Sequence, residues 1–195
     1  MANICYASVV IDGDKEKLQE LYNLLLEISE DEETPGYESV LEKRGVDTSD
    51  VSYSLRGSIE DFYFNEDDEN PRLDIQIECA WGLNEDVLYD MFQFYDEEGD
   101  GLLNIYFSFE TEGFIEFGTN DWEKKYFTNR YFIYDPNKGD DYNYYEFEKD
   151  VLEHLNEYLP DLKVEELEDE EKVNEQLNEK LGEENEIEYH KYWVD

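Results

Sequence analysis

Positive charge is scarce in this chain. Lys and Arg together number 15 against 55 Asp and Glu, so the net charge at pH 7 is −40. A nucleic-acid binder must supply Lys and Arg to phosphates, so ordinary DNA or RNA binding is excluded. Attraction to an anionic membrane surface is excluded for the same reason. Cysteine is also sparse. Cys5 and Cys79 lie far apart, each in a strand-like apolar run and without CxxC spacing. They read as buried thiols in a reducing compartment and not as a disulfide framework. Histidine occurs only twice. No apolar run approaches the length of a membrane span. Residues Met1 to Ile4 lack the basic and long apolar stretches of a secretion signal, so a cytoplasmic location is expected.

Aromatic residues, by contrast, are plentiful. They make up 16% of the chain, with 17 Tyr and 11 Phe. Disordered acidic chains are poor in such residues, so this composition argues for a packed core despite the charge. A length of 195 residues suits one domain with at most a small appendage. Self-repulsion among the carboxylates should cost stability, and added salt should relieve it.

Local patterns predict an α+β protein. Residues 2–11 read as a first strand. Asp12-Gly13-Asp14 makes a turn and a helix cap, and Leu18, Leu21, Leu25 and Ile28 then repeat at helical spacing. Pro35-Gly36 breaks the chain before a short helix over 37–43. Residues 51–64 alternate in part, and Gly57 suggests a bulge. Leu73, Ile75, Ile77 and Cys79 alternate strictly with polar residues, the cleanest strand signal in the chain. Asn84 can cap a helix over 85–95. Three strands over 102–110, 113–119 and 125–134 read as an antiparallel meander, with turns at Glu112-Gly113 and Asn120-Asp121. A polar loop over 135–143 should precede a helix over 145–158 that Pro160 stops. A charged helix over 165–182 and a final strand over 187–194 complete the prediction. The expected division is a core over 1–160 and an acidic C-terminal helix and strand over 161–195, docked on that core.

Several of these segments also resemble a known family. They are the strand, turn and leucine helix from Met1 through Gly13-Asp14, then Arg56-Gly57-Ser58-Ile59-Glu60 and Cys79-Ala80-Trp81-Gly82. To these add Gly118-Thr119-Asn120-Asp121, Tyr126-Phe127 and Asn129-Arg130-Tyr131. Together they resemble the YubB ferredoxin-like domain family, also called Api92-like, found largely on phages, plasmids and other mobile elements. The resemblance spans residues 1–135. It implies a ferredoxin-like, mostly antiparallel sheet with helices on one face. It implies no catalytic residue.

The chain offers little conventional site chemistry. Neither His154 nor His190 has a Cys or His partner at metal-binding spacing, so both read as structural or surface residues. Neither a nucleophile elbow nor a phosphate-binding glycine loop occurs. Asp96, Glu98, Asp100 and Gly101 match the start of a calcium-binding loop, yet position twelve is Phe107 where a bidentate Glu is required. A second near match over 135–146 has Asp140 where glycine is needed. The expectation is a protein without a cofactor, resident metal or catalytic centre.

Negative charge is densest at Glu165, Glu166, Glu168, Asp169, Glu170 and Glu171, with Glu175 and Glu179 continuing at helical spacing. This run is the candidate partner-binding surface. A carboxylate sheath can present to a basic groove a field like that of DNA, which carries one charge per about 1.7 Å of axis. The leading expectation is therefore a nucleic-acid mimic. It would inhibit a basic nucleic-acid-binding protein, such as a CRISPR effector, a restriction enzyme or another defence nuclease. An antidote to a basic toxin is the alternative from the same class. A hydrolase dependent on divalent metal is the alternative from another class, and the lack of spaced ligands weighs against it.

Overall fold

Strict alternation in one strand lets it pair on both edges while burying a single face, and the first half of the chain is built on that rule. The computed structural model describes residues 3–31, 34–66, 69–112, 116–138, 141–182 and 186–194. The chain divides into two compact units, Met1–Ile115 and Glu116–Asp195. In the first unit the strands are β1 (Ile4–Gly13), β2 (Gly57–Asn65), β3 (Arg72–Ala80) and β4 (Leu103–Thr111). They form an antiparallel sheet in the order β2-β3-β1-β4. The helices are α1 (Lys15–Asp31), α2 (Tyr37–Lys43) and α3 (Glu85–Phe92), so the succession is β-α-α-β-β-α-β. The protein is thus α+β and mostly antiparallel, as the patterns predict.

Register explains the single buried face. Val9 pairs with Ile75 and Phe107, and Ile11 pairs with Leu73 and Ile105. These side chains share one core with the α1 stripe of Leu18, Leu21, Leu25 and Ile28 and with Val87, Leu88, Met91 and Phe92 of α3. The opposite face carries Tyr6, Ser8, Gln76 and Glu78. Asp14 caps α1 by accepting from the Lys17 amide at 3.0 Å. Gly13 has φ +130, and a Cβ there would meet the Leu102 carbonyl at 2.6 Å.

The predicted strand over 51–64 is shorter, because β2 begins only at Gly57. Gly57 is not the bulge. The register shifts between Ile59 and Asp61, whereas Gly57 is required because a Cβ would lie 2.4 Å from the Tyr37 ring.

The second unit has short strands and irregular connections. Its elements are β5 (Phe117–Thr119), β6 (Tyr131–Tyr134), β7 (Tyr142–Tyr145), α4 (Glu148–Leu155), α5 (Glu170–Leu181), β8 (Glu188–Lys191) and β9 (Trp193–Val194). A three-stranded antiparallel sheet runs β7-β6-β8, and β5 pairs in parallel with β9. The expected meander fails at its third strand: 120–130 is a loop, and β6 pairs with β7 and β8 in another sheet, while Gly113 of the expected turn lies outside the described residues. Residues 142–145, read as loop and helix start, form β7 instead. Tyr-Asn-Tyr-Tyr carries no aliphatic alternation to announce a strand.

The expected boundary at 160/161 is also displaced. Leu162, Leu167, Val173, Leu177 and Ile187 share one buried cluster with Tyr131, Ile133, Val151 and Leu155. The C-terminal helix and strand complete the second core and are not an appendage, because burying that stripe needs the β6 and α4 side chains. The final strand over 187–194 breaks at Tyr192, which is buried and donates its amide to the Arg130 carbonyl at 2.9 Å.

Candidate functional site

The eight carboxylates of the predicted partner-binding run do not form one free face. Residues 164–166 make a 3-10 turn, and α5 starts only at Glu170. Asp169 caps α5 by accepting from the Lys172 amide at 3.1 Å. Glu166 accepts from the Lys163 amide at 3.1 Å and from Lys172 Nζ at 2.9 Å. The hydrogen bonds from Lys172 and Lys163 hold its carboxyl below the usual glutamate range. Glu168 pairs with Lys191. Glu170 accepts from His190 Nδ1 at 2.9 Å and from the Lys191 amide at 3.0 Å. Burial opposes its ionisation, but these bonds and the imidazole charge outweigh it and leave the carboxyl lowered. Four of the eight are thus engaged locally, Glu166 and Asp169 at the start of α5 and Glu168 and Glu170 on β8.

The others remain at the surface. Glu165, Glu171, Glu175 and Glu179 are exposed. Glu171, Glu175 and Glu179 stand at four-residue intervals on one ridge of α5, and no ion pair among the described residues engages them. Like charges at this spacing destabilise a helix, so the ridge costs stability. Val173 and Leu177 on the opposite face keep α5 docked by packing.

Sequence reading missed a buried polar network in the same unit. Asp135 is fully buried after β6. Its Oδ2 accepts from Tyr158 at 2.8 Å and from His154 Nε2 at 2.7 Å, and its Oδ1 accepts from the Asn137 amide at 3.0 Å. An ionised carboxylate only accepts, so Nε2 carries a proton. In the neutral ring Nδ1 then accepts from the Tyr145 hydroxyl, 2.6 Å away. Burial raises the Asp135 carboxyl, yet the bonds from His154, Tyr158 and Asn137 prevail and its pKa is lowered. Tyr158 is pushed up to about 12 by burial and then by Asp135, and Tyr145 is raised by burial and the nearby carboxylates.

A cavity of about 610 Å³ opens beside Tyr145 and His154 and is otherwise lined by Lys138, Asn143, Asp150, Glu153 and Glu157. Both ring nitrogens are engaged and both phenols are held protonated, so the network offers neither a free base nor a phenolate. Its geometry pins β6, β7 and α4 together. The sequence signal was faint: His154 lies on the apolar stripe of Val151 and Leu155, 19 residues from its partner.

A second clasp explains residues singled out above by resemblance. Buried Asp121 accepts from the amides of Lys125 at 2.9 Å, Tyr126 at 2.6 Å and Phe127 at 2.8 Å. Arg130 donates to the carbonyls of Phe127, Asn129 and Asp121. Asp121 and Arg130 thus order an irregular loop and leave their polar groups little to offer a ligand.

The calcium-like loop is a tight turn. Asp96 Oδ1 accepts from the amides of Glu98 and Asp100, both at 2.9 Å, while Phe107 is buried within β4. In the second near match Asp135 is consumed by the network above, and Asp140 lies outside the described residues. Among the described residues no group of three or more His, Cys, Asp or Glu could hold a metal ion, and no helix is long and apolar enough to cross a membrane. No family model, no curated protein and no solved structure matches the chain.

Proposed function

We propose that this protein binds a basic nucleic-acid-binding protein as a nucleic-acid mimic. Its target would be a host defence protein such as a CRISPR effector or restriction enzyme, and its source a mobile element. The reading is carried by one observation: carboxylates outnumber cations 55 to 15, and seven of those cations are already held in ion pairs. Lys17, Lys43, Arg72, Lys124, Lys138, Lys172 and Lys191 are each held by a carboxylate. Most of the 55 acidic residues are left to project an uncompensated field.

The exposed α5 ridge illustrates the scale. Four residues advance about 6 Å along a helix, against one phosphate per about 3.4 Å of axis on each DNA strand. The ridge alone reaches a little over half the linear charge density of one strand, and the remaining carboxylates must supply the rest. Exposed aromatics supply contact area of the kind that anchors protein interfaces, with Trp122 at 69% and Trp81 at 61% exposure.

The test is competition. A partner captured from host lysate is purified, loaded with labelled duplex DNA and titrated with this protein. A mimic displaces the DNA stoichiometrically and loses affinity steeply with salt. A ternary complex that keeps the DNA at full affinity overturns the mimic and leaves an antidote-type binder. Glu171→Lys with Glu175→Lys should slow association more than it speeds dissociation.

A further inference from the structure

The first unit holds a cavity whose walls match a cation. It occupies about 500 Å³ and is lined by Tyr53, Tyr89, Tyr95, Asp86 and Asp90, with Val51 and Ser52 completing the wall. The sequence builds it simply. Asp86, Tyr89 and Asp90 stand at positions i, i+3 and i+4 of α3, on the helix face opposite the buried Val87, Leu88 and Met91. Asn84 caps that helix by accepting from the Asp86 amide at 2.8 Å. Tyr95 follows the helix end, where an isolated bridge to Gly101 fixes its backbone. Tyr53 enters from the segment between the 3-10 turn at Thr48–Asp50 and β2, and donates its hydroxyl to Asp90 Oδ2 at 2.6 Å.

The chemistry of this wall is one-sided. Among the described residues no Lys, Arg or His lines the cavity, and neither Asp86 nor Asp90 has a cationic partner. Burial, the Asp90 hydrogen bond and the charges of Asp90 and Asp86 all raise the Tyr53 phenol, so it stays a neutral ring. Three phenol rings beside two carboxylates favour a weakly hydrated cation, which gains from both ring quadrupoles and charge. The same unit already shows such pairing, with the Arg44 guanidinium 3.9 Å from the Phe94 ring centroid.

We infer that this cavity is a recognition pocket for a cationic side-chain head group, a guanidinium or alkylammonium presented by a basic protein. As to its occupant, the inference rests on the reading of the chain as a binder of basic partners. It adds a discrete anchor where that reading has only a diffuse field.

The probe is Nα-acetyl-arginine amide, with the lysine amide as a second cation and the citrulline amide as the uncharged isostere of arginine. Each is titrated into the full chain at about 0.15 M salt, where long-range attraction is screened beyond about 8 Å. Ring and amide resonances of Tyr53, Tyr89 and Tyr95 are followed by NMR. The arginine amide should shift these signals saturably, and the citrulline amide should not; a preference between the two cations identifies the head group. Tyr95→Ala leaves the net charge unchanged and should weaken binding about tenfold. Tyr95 is 63% exposed, and unchanged amide signals in β1 to β4 verify that the variant is folded.

Asp86→Asn with Asp90→Asn should weaken binding, while the charge-matched Glu171→Gln with Glu175→Gln on α5 should not. Citrulline binding as tightly as arginine, unaltered binding in Tyr95→Ala, or equal losses in the two charge-matched pairs would each overturn the pocket. None of those results touches the mimic reading. Conversely, DNA retained in the competition experiment removes the mimic and leaves a pocket that still discriminates arginine from citrulline.

Discussion

The two units carry nearly the same charge and hold themselves together differently. The first has 30 acidic and 6 basic residues over 115 positions, and the second has 25 and 9 over 80, so each carries about one net negative charge per five residues. The first is closed by regular burial: four long strands, three helices and a core of aliphatic and aromatic side chains. The second is closed by a smaller core threaded with directed hydrogen bonds through Asp121, Arg130, Asp135, His154 and Tyr189. Asn174 adds to them, donating to the Tyr189 carbonyl at 2.7 Å and accepting its amide at 2.8 Å. Short strands bury too little apolar surface to specify one arrangement, and buried polar groups with single satisfactory partners supply the specificity.

The largest test of this contrast is truncation after Pro160. It removes Leu162, Leu167, Val173, Leu177, Ile187 and Tyr189 from the second core. Residues 116–160 should lose hydrogen-exchange protection entirely, while β1 to β4 keep theirs. Persistent protection in β6 and α4 would show that the C-terminal segment is dispensable.

Next come single core substitutions. Asp135→Ala leaves His154 and Tyr158 without their acceptor and should cost the second unit about 3 kcal/mol. Leu18→Ala should cost the first unit a similar amount, about 3 kcal/mol. Their pH dependence separates them. The Asp135 carboxyl is lowered in the fold, so its contribution is complete above the ordinary aspartate pKa of about 3.9 and is lost as pH falls through the lower folded value. The cost of Asp135→Ala should therefore shrink below about pH 4, whereas that of Leu18→Ala should not follow this titration. Urea unfolding of both variants, followed by unit-specific exchange at pH 7 and pH 3, measures it.

Salt should blur the contrast. Raising sodium chloride from 0.01 to 0.15 M shortens the screening length from about 30 Å to about 8 Å. With equal charge per residue, both units should gain melting midpoints of the same order, a few degrees. A midpoint falling with salt in either unit would mean that carboxylate repulsion is not what destabilises it.

The smallest effect is expected at the α5 ridge. Glu175→Lys turns two like-charge pairs into opposite ones and should stabilise the second unit by about 0.5 kcal/mol. If the ridge faces a basic partner, the same change slows association. A stabilised variant that also binds faster would remove α5 from the partner surface.

The first unit was largely legible in the sequence because its elements repeat. Leu73 to Cys79 alternates, Leu18 to Ile28 follows a helical period, and Asp14 and Asn84 are cap residues, each read from neighbours a few positions away. The acidic surface was legible too, since net charge depends on composition alone. The second unit was not, because β7 has no aliphatic alternation and Asp121, Arg130 and Asp135 act on groups that no local period marks. The candidate run was half legible. Its carboxylates were visible, but the division between those that cap α5 or grip β8 and those left exposed depends on where Lys172, His190 and Lys191 arrive.

Composition and local period alone determined an acidic α+β chain able to fold, the β1-α1 entry and the β3 strand. The tertiary structure decided that Cys5 lies opposite Cys79 across β1 and β3, that His154 meets Asp135, and that Tyr53 joins Tyr89 and Tyr95 around one cavity. The physical reason is range. Propensity and amphipathic period act over one or two turns of chain, whereas a hydrogen-bonded pair or a cavity wall exists only after strand order and register have brought distant residues together.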